Sequence, residues 1–62
     1  MKVKDIARML DPSVKIYFWE GRTKVGCCYV AHLPEHQYLN RELKDLDMSH
    51  STEQQLIAYF YI

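Results

Sequence analysis

The residues of this chain whose types could do chemistry are two adjacent cysteines and two histidines four residues apart: Cys27, Cys28, His32 and His36. Thiolate and imidazole suit zinc or a thiol nucleophile, and a carboxylate such as Glu35 beside a histidine suits acid–base catalysis. Zinc sites usually separate paired cysteines by two residues, whereas neighbours in a strand point to opposite faces. We therefore expect reduced, buried thiols, no metal, no cofactor and no catalytic residues, so the chain is not predicted to be an enzyme.

A second group is the densest cluster of polar and aromatic side chains outside the predicted sheet. We interpret it as a candidate recognition loop that consists of Tyr38, Asn40, Arg41 and Glu42. The alternative is an ordinary helix end, in which Arg41 pairs with a nearby acid and Tyr38 packs down onto the protein. We favour the helix-end alternative, since exposed ion pairs are common and weak.

Composition predicts one folded domain that spans residues 1–62, with 48% hydrophobic and 26% charged residues. A domain of this size buries only about 60% of its unfolded surface, so oligomerisation, a metal or disulfides usually add stability. Eight basic residues balance eight acidic ones, which argues against nucleic acid as a partner. No segment reads as a secretory signal or a membrane span, so we expect a cytoplasmic protein.

Six elements are predicted, in the order helix, strand, strand, helix, strand, strand. Apolar spacing predicts a helix over residues 3–10 that stops before Pro12, and β-branched and aromatic residues predict strands over 14–20 and 24–31. A second helix is predicted over 34–39, and strands over 43–49 and 55–62. The last strand is expected inside the sheet. The fold class is α+β, with a mainly antiparallel four-stranded sheet and two short helices on one face.

The two faces of this sheet both read as apolar. We expect a core under the helices formed by Ile6, Leu10, Val14, Ile16, Phe18, Leu56, Phe60 and Ile62. The opposite face is predicted to carry Tyr17, Trp19, Cys28, Val30, Ile57, Tyr59 and Tyr61. Such a patch is too apolar to leave bare, and Trp and Tyr are favoured at interfaces. We therefore predict a protein–protein interface formed by Tyr17, Trp19, Val30, Ile57, Tyr59 and Tyr61.

Three short motifs carry a resemblance: MKVKDI at the start, the Asp11-Pro12 stop before VKIY, and YLNREL in the middle. With these motifs the chain resembles small proteins of Firmicutes and their phages or prophages that have no assigned function. The resemblance implies a bacterial or phage origin and an intracellular setting, and it brings no catalytic residues.

Three hypotheses follow for the function. The first is a non-enzymatic protein-interaction module, homodimeric through the aromatic face or covered there by another protein. The second is a phage-encoded inhibitor or sequestering protein that acts on a host defence factor. The third is a small metal- or thiol-dependent protein.

Overall fold

The computed structural model describes all 62 residues, Met1–Ile62. It confirms the α+β class, with two short helices and a four-stranded sheet. The elements in chain order are helix α1 (Val3–Ala7), strands β1 (Lys15–Glu20) and β2 (Thr23–Tyr29), a 3₁₀ helix (Val30–Glu35), and strands β3 (Asp45–Asp47) and β4 (Ile57–Tyr61). No helix is long and apolar enough to cross a membrane.

The sheet has the strand order β2-β1-β4-β3, so β4 lies inside it as predicted. The two outer pairs, β1 with β2 and β3 with β4, are antiparallel. The central pair, β1 with β4, is parallel. The sheet is therefore mixed but mostly antiparallel. The central pair joins a strand from the first half of the chain, β1, to one from the second half, β4.

A tight turn and a bulge shape the hairpin between β1 and β2. Gly21 has a φ of 64°, which glycine adopts without steric cost, and it makes the predicted reversal of the chain. Phe18 pairs with Gly26 but Trp19 pairs with Lys24, so the residue between these partners, Val25, has no partner in β1. Beyond this β-bulge every residue of β2 faces the side opposite to the one it would face in an unbroken hairpin.

The core lies between the sheet and the two helices, on the face of the sheet that we call the helix-side face. α1 contributes the buried Val3 and Ala7, and the 3₁₀ helix contributes the buried Leu33. From the sheet and its flanks the core takes Val14, Ile16, Phe18, Ala58, Phe60 and Ile62, all at most 4% exposed. Each large apolar side chain buried in this way contributes about 1.5–3 kcal/mol.

Both helices differ in extent from the prediction. α1 ends at Ala7 rather than Leu10, because Leu10 N–H donates to the carbonyl of Ala7 (3.0 Å), three residues back, in a tighter turn. The second helix begins at Val30 instead of Pro34, since Val30 N–H bonds to Val14 O (2.9 Å) and starts the turn early. Ile6 and Leu10, predicted in the core, are only partly buried at its edge.

The strands are also shorter than predicted. β3 covers three residues, because Leu43 N–H donates to Met1 O (2.8 Å) and Ser49 N–H turns back to the Asp47 carboxylate (2.8 Å). β4 begins at Ile57, so Leu56 precedes the strand. Leu56 is 46% exposed, and its predicted place in the core is wrong.

Candidate interaction surface

The face of the sheet opposite the helices is ordered in rows by the strand register. Paired residues in neighbouring strands project to the same side. Each row is given in the strand order β2, β1, β4 and, where the row reaches it, β3. The first row is Tyr29, Lys15 and Ile57, and the second is Cys27, Tyr17, Tyr59 and Asp47. The third row is Lys24, Trp19, Tyr61 and Asp45. We call this surface the open face. Its centre is aromatic, and its two side edges carry charge.

Tyr59 is the centre of the aromatic packing on the open face. Its ring lies 5.6 Å from Tyr17 in an edge-on arrangement and 5.4 Å from Trp19. His50, from the loop before β4, stacks on it at 4.1 Å with an interplanar angle of 16°. The side chains shield one another, so Tyr17, Trp19 and Tyr59 are half-buried although no helix lies over them, whereas His50 is exposed. The result is a continuous aromatic patch with preset geometry.

The charges of the open face are segregated. The ammonium groups of Lys15 and Lys24 lie 5.3 and 5.1 Å from the centre of the Tyr17 ring, on the β2 side. Asp45 and Asp47 lie on the β3 side. A hydrogen bond from the Ser49 backbone N–H lowers the pKa of Asp47, and the Ser49 side chain acts in the same direction. The face thus has a positive edge, an aromatic middle and a negative edge.

One polar atom of the open face has no partner. The indole Nε1 of Trp19 is buried and makes no hydrogen bond. An unsatisfied buried donor of this kind costs about 1–3 kcal/mol. Trp19 is therefore held in place by packing and not by a polar contact.

Two residues predicted for this surface lie on the other side of the sheet. Cys28 pairs with Ile16 and so belongs to the helix-side face. Val30 lies in the 3₁₀ helix and lines a cavity together with Ala7 and Leu33. The bulge at Val25 and the early end of β2 are the reasons, because each breaks the alternation from which both placements were inferred. Tyr17, Trp19, Ile57, Tyr59 and Tyr61 share the open face.

Several residues of the open face were missing from the predicted interface: Lys15, Lys24, Cys27, Tyr29, Asp45, Asp47 and His50. The alternation of β1 already places Lys15 with Tyr17 and Trp19, and the alternation of β3 places Asp45 with Asp47. The position of Lys24 follows from a two-residue turn at Gly21. His50 carried no signal, since its place depends on the path of a loop.

The candidate recognition loop is engaged within the chain. Arg41 Nη2 lies 2.8 Å from Glu20 Oε2, and Glu42 Oε1 lies 2.6 Å from the Met1 ammonium. Tyr38 is half-buried and packs against Phe18, with ring centres 5.2 Å apart. The backbone of the same segment accepts hydrogen bonds from the amino terminus, as in Val3 N–H to Arg41 O (2.9 Å). These contacts match the helix-end alternative, and they fasten the start of the chain.

The cysteines and histidines that could bind a metal or act in catalysis do not come together in one site. Cys27 is exposed on the open face, against the expectation of burial, and Cys28 is half-buried on the other face. Burial raises the pKa of the Cys28 thiol, and the neighbouring Cys27 adds to the effect. His36 stacks on Phe18 at 4.8 Å, and its Nδ1 accepts a hydrogen bond from Tyr38 N–H (3.2 Å). No group of three or more His, Cys, Asp or Glu side chains is placed to hold a metal ion.

The surface of the protein has two cavities. One of about 280 Å³ lies between α1 and the 3₁₀ helix, with Lys4 and Arg8 beside an apolar floor. The other, of about 290 Å³, lies at one end of the sheet beside Tyr29 and Leu56. Neither is lined by cysteine or histidine.

No family model, no curated protein and no solved structure matches the chain. The feature of the molecule that points to a function is the geometry of the open face.

Proposed function

We propose that this chain is a non-enzymatic protein-interaction module that forms a homodimer through the open face of its sheet. The observation that supports this most is the aromatic patch centred on Tyr59, which neither helix covers and over which the chain places only the ring of His50. The solvent-exposed face of an antiparallel sheet usually carries polar residues. A face that instead presents Trp19 and four tyrosines has the composition of an interface centre.

The size of the domain supports the same proposal. Only nine of the 62 residues are buried, all of them apolar and most of them on the helix-side face of the sheet. A single small core gives a marginal monomer. Packing a second layer against the open face would bury the other half of the sheet, and this would add stability without a metal or a disulfide.

The dimensions of the molecule limit the strength of such a dimer. The chain measures 28 × 24 × 17 Å, so its open face cannot exceed the two larger extents. A face-to-face dimer would bury on the order of 1,000 Å² in total, which is near the lower end of specific interfaces. We therefore expect a dissociation constant in the micromolar range.

The solution mass tests the proposal directly. Light scattering on a concentration series should show the mass rise from the 7.4 kDa of one chain toward twice that value at roughly a hundred micromolar. A wild-type chain that remains monomeric at several hundred micromolar would contradict the homodimer.

A single substitution at the centre of the face should dissociate the dimer. Trp19→Asp places an unpaired carboxylate in the apolar contact, and we expect dimer affinity to fall at least about a hundredfold. Met9→Asp is the matched control, because Met9 is 71% exposed and follows α1, away from the open face. Circular dichroism checks that both variants fold. If Trp19→Asp does not fold, Tyr61→Glu provides the same test from β4.

A further inference from the structure

Three charged residues of the open face, Lys15, Lys24 and Asp45, have no oppositely charged partner within the chain. The structure contains two ion pairs, which join Met1 to Glu42 and Arg41 to Glu20, and a 3.6 Å contact between His50 Nε2 and Asp47 Oδ2. Lys15, Lys24 and Asp45 belong to none of these contacts. The Asp45 carboxylate accepts one hydrogen bond, from Leu46 N–H (2.8 Å), and is otherwise exposed. Opposite charges therefore stand free at the two sides of one aromatic patch.

The register places one of these charges at each end of a single row. The row runs from Lys24 through Trp19 and Tyr61 to Asp45. Neighbouring strands lie about 4.8 Å apart, so the two ends are separated by about 14 Å across the sheet. This distance exceeds the Debye length of about 8 Å at physiological salt, so the two edges do not neutralise each other.

Two copies can stack face to face around a two-fold axis in either of two directions. An axis parallel to the strands places β2 of one copy over β3 of the other, and β1 over β4. Lys24 then faces Asp45 of the second copy, twice per dimer, and Trp19 faces Tyr61. An axis perpendicular to the strands places β2 over β2 and β3 over β3, so the positive edge faces the positive edge and the negative edge faces the negative edge.

We propose that the two copies pack around the axis parallel to the strands, with Lys24 of each copy facing Asp45 of the other. This inference rests on the homodimer proposed above and specifies its geometry. The meeting of like-charged edges disfavours the perpendicular arrangement, whereas the parallel one makes the face complementary to itself.

A cycle of charge reversals tests the axis. Lys24→Glu and Asp45→Lys should each weaken dimerisation about tenfold, because each replaces two attractive contacts per dimer by two repulsive ones. The double variant Lys24→Glu/Asp45→Lys restores attraction with the signs exchanged, so its affinity should return to within about threefold of wild type. Sedimentation velocity over a concentration series measures all four dissociation constants.

Arg8→Glu is the matched control, since it makes the same change of charge on an exposed residue that follows α1. We expect its affinity to stay within about twofold of wild type. Single reversals that leave a dimeric protein unaffected, or a double variant no tighter than the singles, would overturn the parallel axis while the homodimer stands. A monomeric wild-type protein would instead contradict the proposed function itself.

Discussion

The helix-side face and the open face of the sheet consist of alternate residues of the same strands, yet their side chains differ in burial. Ile16, Phe18 and Phe60 are fully buried on the helix-side face. Tyr17 and Tyr59, their immediate neighbours in the chain, are only half-buried. The strands contribute apolar side chains to both sides. What separates the faces is the cover that α1 and the 3₁₀ helix give to one of them.

The residue types of the two faces match this difference in cover. The nine core residues are aliphatic or phenylalanine and carry no polar side-chain atom. The aromatic residues of the open face are tyrosine and tryptophan, whose polar tips can remain in water while their rings pack. The open face can therefore tolerate solvent in a monomer and still bury its rings against a partner, which the core residues could not do.

The largest effect should come from the centre of the helix-side face. Phe18→Ala leaves a cavity and should cost about 3–5 kcal/mol of unfolding free energy. The whole stability expected for a domain of this length is about 3–9 kcal/mol, so this variant should lose a large share of it. Tyr17→Ala, the neighbour on the open face, should cost about 1 kcal/mol in a dilute monomer. Urea denaturation followed by circular dichroism measures both.

Equal losses for the two substitutions would contradict the comparison, because they would mean that the open face is as well packed within one chain as the core. A loss at Tyr17 that grows with protein concentration would support the dimer, since removing this ring would then also remove contacts between copies.

A smaller effect should distinguish the adjacent cysteines, which also lie on opposite faces. The thiolate is the reactive form, and burial raises the pKa of Cys28 whereas Cys27 is exposed. At pH 8 we expect iodoacetamide to modify Cys27 at least about tenfold faster than Cys28. The single-thiol variants Cys28→Ser and Cys27→Ser report the two rates separately.

The same experiment tests the open face as an interface. At concentrations where the protein is dimeric, Cys27 should react several-fold more slowly than in dilute solution, and Cys28 should not change. A Cys27 rate that is independent of concentration in a dimeric protein would place the contact elsewhere on the molecule.

The sequence predicted the fold class because its signals were local. The alternation of apolar residues marked four strands, and Gly21 and Pro12 marked a turn and a helix end. The division of β1 and β4 into two faces was visible in the same alternation. The parallel pairing of these strands was not, since it joins residues about forty positions apart through the order of the sheet.

The membership of the open face was harder to predict than its existence. A bulge of one residue at Val25 reverses the facing of the rest of β2, and it therefore moved Cys28 to the core side. Val30 was assigned by continuing a strand that ends at Tyr29. His50 reaches Tyr59 through a loop without periodicity. Each error has a physical source that a pattern of alternate residues does not contain.

The smallest expected effect concerns pH, at the acidic edge of the open face. Hydrogen bonds from Ser49 lower the pKa of Asp47 in the folded protein below its ordinary value of 3.8. A lowered carboxyl pKa stabilises the folded state above that ordinary value, and this stabilisation is lost as the pH falls through the lower folded value. Wild-type protein should therefore lose part of its stability as the pH falls below about 4.

Asp47→Asn should reduce this loss of stability at low pH, which we call the acid limb of the stability curve. Asparagine keeps an oxygen that can accept the Ser49 N–H bond, but it has no proton to gain. Urea midpoints at a series of pH values from about 6 to 2 measure the difference, at a protein concentration low enough to keep the chain monomeric. Glu53→Gln is the control, since Glu53 is exposed and its side chain accepts no hydrogen bond. An unchanged acid limb in Asp47→Asn would show that the Ser49 contact contributes nothing to folding, and the turn that ends β3 would then have to be held by the backbone alone.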